Sequence, residues 1–136
     1  MPARILIIED EALVAMEMCF VLEDLGYEVV GTAATAQRAR DLVHAGDPVD
    51  LALVDIHLSD GPTGVDLGRE LAQSAGVSVI YVTANPGMLL NGVAGTIGVL
   101  CKPTDEFAVQ SAVEYALNRR HGRWAQPAPA ELRLFG

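Results

Sequence analysis

The chain has no apolar run approaching the roughly eighteen residues of a membrane-spanning helix. Residues 1–8 lack the basic start and the long apolar stretch of a secretory signal. Together these absences set the expectation of a cytoplasmic protein with no membrane partner. Cysteine is scarce. Cys19 and Cys101 fall in a predicted helix and a predicted strand, and both settings are apolar. In that compartment buried free thiols are expected, not a disulfide or a thiolate metal site. Basic residues are few as well: Lys and Arg number 9 against 18 Asp and Glu, a net charge of −9. Nucleic-acid binding needs a basic face to neutralise phosphates, so no nucleic-acid partner is expected. No glycine-rich loop follows the first apolar run, which argues against a nucleotide-binding protein. Internal repeats are absent too.

What the chain does have is enough apolar residue, 51% of 136, to cover a sheet on both faces within one domain. The stretch Val49 to Gly64, V-D-L-A-L-V-D-I-H-L-S-D-G-P-T-G, organises the rest. Leu51-Ala52-Leu53-Val54 is short and wholly apolar, the pattern of a strand buried on both sides. It delivers Asp55 at its carboxyl end, and a loop of Ser, Asp, Gly and Pro carries the chain away. Ligand crevices of open α/β sheets lie outside the carboxyl ends of strands, so Asp55 stands where chemistry is expected.

Other strands end in the same manner. Ile5 to Ile8 runs into Glu9-Asp10, Val79 to Val82 into Thr83-Ala84, and Ile97 to Cys101 into Lys102-Pro103. Helical patterns fill the intervals: Glu11 to Leu25, Ala36 to Ala45, Val65 to Ala75 and Asp105 to Arg120. Thr104 is the expected N-cap of the last. Strands alternating with helices predict a parallel, doubly wound sheet with helices on both faces. In the first helix Val14, Met18, Val21, Leu22 and Leu25 should face that sheet. A second stripe of Leu13, Met16 and Phe20 is either partly covered by a neighbouring helix or a docking surface. Between Thr83 and Lys102 lie Gly87, Gly92, Gly95 and Gly98, so only a short helix, near Gly87 to Asn91, is expected there. Residues 122–136 are rich in Pro and Ala, which predicts an extended tail. Trp124, Leu132, Leu134 and Phe135 nonetheless require a surface to pack on.

The convergence of Glu9, Asp10, Asp55, Thr83 and Lys102 has its own electrostatic logic. Two unit charges about 4 Å apart repel by roughly 4 kcal/mol at an effective dielectric of about 20. Three carboxylates in one crevice therefore call for a hard divalent cation, and magnesium suits them because it also keeps water and phosphate oxygens as ligands.

In order and spacing, Glu9-Asp10, D-I-H-L-S-D-G-P-T-G around Asp55, Thr83-Ala84 and Lys102-Pro103 resemble the receiver domain of two-component response regulators, of the chemotaxis-regulator type. The resemblance runs from residue 4 to about residue 120. It implies a flavodoxin-like five-stranded sheet in order 2-1-3-4-5. It also implies a receiver domain over residues 1–121 followed by a tail, residues 122–136, with no output domain. Asp55 would accept a phosphoryl group from a histidine kinase or a histidine phosphotransfer protein. Asp10, Asp55 and the backbone carbonyl of His57 would ligate Mg2+, with Glu9 acting through a bound water. Lys102, the Thr83 hydroxyl and the Ala84 amide would answer the phosphoryl oxygens, and the Lys102-Pro103 peptide would be cis. Output would pass to a downstream protein, and a homodimer is possible. Such a protein is a phosphoacceptor rather than an enzyme, although it assists its own phosphorylation and dephosphorylation. One position departs from the pattern. Receivers commonly carry Tyr or Phe three residues before the lysine, and this chain has Val99. That departure keeps a second reading open, a receiver-like interaction module that works without phosphorylation. A haloacid-dehalogenase-type phosphatase fits poorly, because its D-x-D nucleophile motif is missing after the first strand.

Overall fold

The computed structural model describes residues 2–46, 48–89, 91–123 and 127–135. In chain order the elements are β1 (Arg4–Ile8), α1 (Ala12–Asp24), β2 (Glu28–Ala33), α2 (Ala36–His44), β3 (Leu51–Val54) and α3 (Gly64–Ser74). There follow β4 (Ser78–Thr83), a 3-10 turn (Pro86–Leu89), β5 (Gly98–Cys101), α4 (Glu106–Arg120) and β6 (Leu132–Leu134). The strands form one sheet in order β2-β1-β3-β4-β5-β6, parallel from β2 to β5. The parallel part has the expected order 2-1-3-4-5.

The unbroken apolar runs of the central strands follow from cover on both faces, since alternate residues of a strand point to opposite sides. Leu6, Ile8, Ala52, Val54, Val79 and Tyr81 face the layer that holds α2 and α3. Ile5, Ile7, Leu51, Leu53, Ile80 and Val82 face the layer of α1 and α4. All of these are essentially inaccessible to water. Each strand thus hands its terminal residue to the carboxyl edge in a fixed register, with Ile8 beside Val54 and Val54 beside Tyr81.

Several expectations are corrected in detail. The sheet has a sixth strand, because the tail turns back and pairs β6 antiparallel with β5, Gly98 opposite Leu134 and Leu100 opposite Leu132. Leu132 is buried there and Phe135 packs against the α2/α3 layer. Trp124 lies outside the described residues. The fourth helix is only the 3-10 turn, so the glycines hold regular helix to a shorter span than Gly87 to Asn91; Leu90 lies outside the described residues. The N-cap of α4 is Asp105, whose carboxylate accepts from the Ala108 amide at 2.8 Å. Thr104 does not cap, and its buried hydroxyl has no hydrogen-bond partner among the described residues. Leu13, Met16 and Phe20 on α1 are 62%, 49% and 67% exposed, so no helix among the described residues covers them.

The thiols are free but not both buried: Cys19 is half-buried and Cys101 exposed. Cys101 ends β5 beyond the residues paired to β6, and Cys19 packs partly against the α1/α4 layer. The Cys19 thiol donates to the Glu23 carboxylate at 2.8 Å, one helical turn away, and that bond pushes its pKa up to about 11. The thiolate is the reactive form, so Cys19 should alkylate slowly at mildly alkaline pH. Glu23→Gln is expected to speed that reaction several-fold, as followed by peptide mass. An unchanged rate would show that the carboxylate does not hold the proton.

Candidate functional site

β1, β3, β4 and β5 present their carboxyl ends side by side, and the side chains of Glu9, Asp10, Asp55 and Lys102 meet there. The Asp55 amide donates to the Ile8 carbonyl at 2.9 Å, and the Glu9 amide to the Ala33 carbonyl at 2.8 Å. These bonds extend the parallel pairing one residue past each strand and fix both acidic residues at the sheet edge. Glu9, Asp10 and Asp55 each offer a carboxylate oxygen, and the three oxygens lie within 4.8 Å of one another. Glu9 and Asp55 are buried while Asp10 is exposed, so the cluster opens to water on one side. The donor set is all oxygen and partly exposed, which suits Mg2+ or another hard divalent cation.

Lys102 enters from β5. Its ammonium pairs with Glu9 and stands 2.9 Å from Asp55 Oδ2. The other Asp55 oxygen, Oδ1, accepts from the Ile56 amide at 2.7 Å, while Glu9 Oε2 accepts from the Glu11 amide at 3.1 Å. Burial pushes the Glu9 carboxyl above its ordinary range, and the Asp55 charge adds to the effect. The hydrogen bonds from Lys102 and the Glu11 amide oppose it without cancelling it. For Lys102 burial favours loss of the proton, but the bonds to Glu9 and Asp55 outweigh it and hold the ammonium above the usual lysine range. The lysine is therefore a firmly charged counter-ion to two buried carboxylates.

Thr83 ends β4, the strand between those that lead to Asp55 and Lys102. It is buried, its hydroxyl accepts from the Asn85 amide at 3.0 Å, and its carbonyl accepts from the Lys102 amide at 2.8 Å. Ala84 and His57 are exposed at the rim, and the Lys102-Pro103 peptide is cis, as expected. A groove of about 410 Å3 adjoins the site between α1 and α4. Val14, Met18, Val21 and Val109 line it together with Glu17, and Ala84 and Lys102 border it.

The response regulator receiver domain family matches residues 5–114. The chain belongs to that family. It is 36% identical over 118 residues to the phyllosphere-induced regulator PhyR of Methylorubrum extorquens, covering 86% of this chain and 44% of the relative. The solution structure of the PhyR receiver domain of Erythrobacter litoralis superposes with TM-score 0.72 at 31% identity, covering 95% of this chain and 97% of that one. A CheY-like receiver from Methanospirillum hungatei gives TM-score 0.75 at 26% identity, over 90% of this chain and 98% of that one. The chain spans about half the length of the curated relatives it matches. The family match ends inside α4, so β6 lies beyond it.

Two residues of this site act through neighbours that the sequence pattern does not display. Asp60 ties the loop after Asp55 to the start of α2. Loss of water pushes its carboxyl up, but bonds from the Thr63 hydroxyl and the Ala36 and Gln37 amides hold it below the usual carboxylate range. Gly64 lets that loop return: a Cβ there would sit 1.9 Å from the Asp55 carbonyl oxygen. The D-G-P-T-G turn signal contained both residues without revealing which neighbours they meet.

Proposed function

We propose that this receiver takes a phosphoryl group onto Asp55 from a phosphohistidine donor, a histidine kinase or a histidine phosphotransfer protein, and signals by binding a downstream protein. The observation that carries this reading is the joint placement of three clustered carboxylates and the Lys102 ammonium at one strand edge. A lysine bonded to Asp55 itself stands where it can answer charge that builds on a phosphoryl oxygen.

An Asp55 oxygen attacks phosphorus, an O–P bond forms, the N–P bond of the donor breaks, and the electron pair leaves on the imidazole nitrogen. Such transfers depend on positioning and on charge stabilisation at the equatorial oxygens. Lys102 is free to follow the new charge, exchanging its bond to Asp55 for one to a phosphoryl oxygen. The Thr83 hydroxyl and the Ala84 amide face a second oxygen, and the small Ala84 leaves the entrance open. Asp10, Asp55 and the His57 carbonyl would hold Mg2+, with Glu9 acting through a water; bound there, the ion neutralises the carboxylates and orients the phosphoryl oxygens. The groove beside Lys102 would receive the donor, and its acidic lip of Glu11, Glu17 and Glu106 favours a basic partner surface.

The test is a gain of one phosphoryl group in the intact mass after incubation with acetyl phosphate and magnesium. The gain is expected to vanish in Asp55→Ala and with EDTA. If no gain occurs even with a phosphorylated histidine donor, the reading falls to its rival, an interaction module that works without phosphorylation. Val99 favours that rival, since this buried valine stands where receivers commonly carry their switch aromatic.

A further inference from the structure

A second feature lies at the opposite edge of the sheet from β2. Gly98, Val99 and Leu100 of β5 are buried, yet among the described residues the outer edge of that strand is paired with no strand but the three-residue β6. This short strand seals both layers of the core. Leu132 enters the α1/α4 layer. Phe135 joins the α2/α3 layer, its ring centroid 6.4 Å from that of Tyr81 and its amide 3.0 Å from the Ile97 carbonyl. The receiving surface is cut to the shape of a backbone. A Cβ on Gly98 would lie 2.3 Å from the Arg133 carbonyl oxygen, and one on Gly92 would lie 3.3 Å from Phe135 Cβ. Two of the glycines that weaken helix between Thr83 and Lys102 therefore make room for an extended chain.

The occupant is lightly held. On its outer side β6 has no strand partner among the described residues, Arg133 is exposed and Leu134 is 40% exposed. It is joined to α4 through a stretch containing Pro127 and Pro129, which offer no amide donors. A three-residue edge strand on such a connector belongs to the low-stability end of a fold. The strand beneath it, once bare, is an apolar edge with unpaired amides and carbonyls, which is a template for another strand.

We propose that the outer edge of β5 is a strand-accepting surface, closed in this state by the chain's own tail, whose partner is an extended segment of another protein. That segment carries an aliphatic side chain in the place of Leu132 and an aromatic one three residues later. Main-chain bonds supply its affinity and the two side-chain pockets its specificity. A second copy of this chain is disfavoured. Exchanging tails replaces each contact by its twin, gains nothing against the cost of association, and brings together two bodies of charge −9. This proposal does not rest on phosphorylation of Asp55.

The test is fluorescence anisotropy of a labelled peptide with the sequence of residues 130–135, titrated with the full chain and two full-length variants. Leu132→Ser loosens the internal strand and is expected to bind the peptide about tenfold more tightly than wild type, a difference of about 1.4 kcal/mol. Gly98→Ala also expels the tail, but its methyl group meets the incoming carbonyl, so it is expected not to bind. Circular dichroism checks that both variants are folded, and Phe135→Ser replaces Leu132→Ser if that variant is not. Equal binding by all three proteins, or binding by Gly98→Ala as strong as by Leu132→Ser, overturns the proposal. So does a concentration-dependent dimer that does not take the peptide, because the edge then serves a second copy. Amide exchange in the wild type is expected to be faster at residues 133–135 than in β3. Equal rates also overturn the proposal, since the strand would then open only with the whole fold.

Discussion

Gly64→Ala is expected to lower the melting temperature by about 10 °C or more, the largest single-methyl effect in this receiver. Ordinarily Gly to Ala inside a helix stabilises by up to about 1 kcal/mol, and Gly64 opens α3. The sign reverses here because the added Cβ would lie 1.9 Å from the Asp55 carbonyl oxygen and 2.7 Å from Ile56 Cα. Both obstacles are backbone, so no side chain can rotate away. Either α3 retreats and uncovers Leu67 and Leu71, or the Asp55 turn moves and takes the carboxylate out of register with Lys102. Overpacking of this kind costs about 1–3 kcal/mol and more against a rigid target, so about 3 kcal/mol is a fair expectation after the helix gain is subtracted. Gly87→Ala is the control, since nothing lies within 4 Å of its Cβ and its melting temperature should stay near that of the wild type. Thermal melts followed by circular dichroism decide the matter. A Gly64→Ala protein that melts with the wild type would show that the loop does not return as closely as described.

This contrast also marks where the sequence is legible and where it is not. The parallel sheet was readable because Ile5–Ile8, Leu51–Val54 and Val79–Val82 are unbroken apolar runs, and only strands covered on both faces tolerate that. The acidic cluster was readable because each run stops at its chemistry: Glu9-Asp10, Asp55, Thr83. Period and punctuation are local properties, and the sequence displays them directly. The missed features depend on which atoms meet once the chain is folded. The capping of α4 turned on whether Thr104 or Asp105 points back along the helix, and both types cap well. The pairing of Lys102 with Glu9 joins residues 93 positions apart. The tail strand was invisible for a similar reason. Leu132 to Phe135 is too short to announce a strand, and its acceptor is a set of glycines that looked only like poor helix. The exposed stripe of Leu13, Met16 and Phe20 could be recognised as apolar from its spacing, but whether anything covers it is a property of the assembled fold.

Lys102→Met is expected to produce a protein that needs a cation to be stable. The ammonium pairs with Glu9 and Asp55, both buried, and methionine keeps the stem while deleting the charge. Removing one partner of a fully buried pair costs about 3–5 kcal/mol. The Lys102 head keeps some contact with water, so a loss of about 2 kcal/mol in EDTA is the expected scale. The pH dependence has a definite sign. Because the folded state raises the lysine pKa, the stability Lys102 contributes is fully present below the ordinary lysine range and is lost as pH rises through the raised value. Glu9 behaves differently. Its carboxyl is raised, so the fold favours its neutral form, and that preference is lost as pH rises past the ordinary carboxylate range. Without Lys102 the Glu9 shift should grow, and the variant should be most stable in mild acid. Magnesium should then restore at neutral pH what acid restores by protonation, because a ligand that binds only the folded state stabilises it by mass action. The variant is thus expected to gain more in melting temperature from magnesium than the wild type does, while its phosphorylation by acetyl phosphate falls sharply. Equal magnesium shifts in the two proteins would mean that the lysine does not compensate the charge of the carboxylates that hold the ion. Undiminished phosphorylation would remove Lys102 from the proposed chemistry and leave it as the counter-ion of a folded acidic edge.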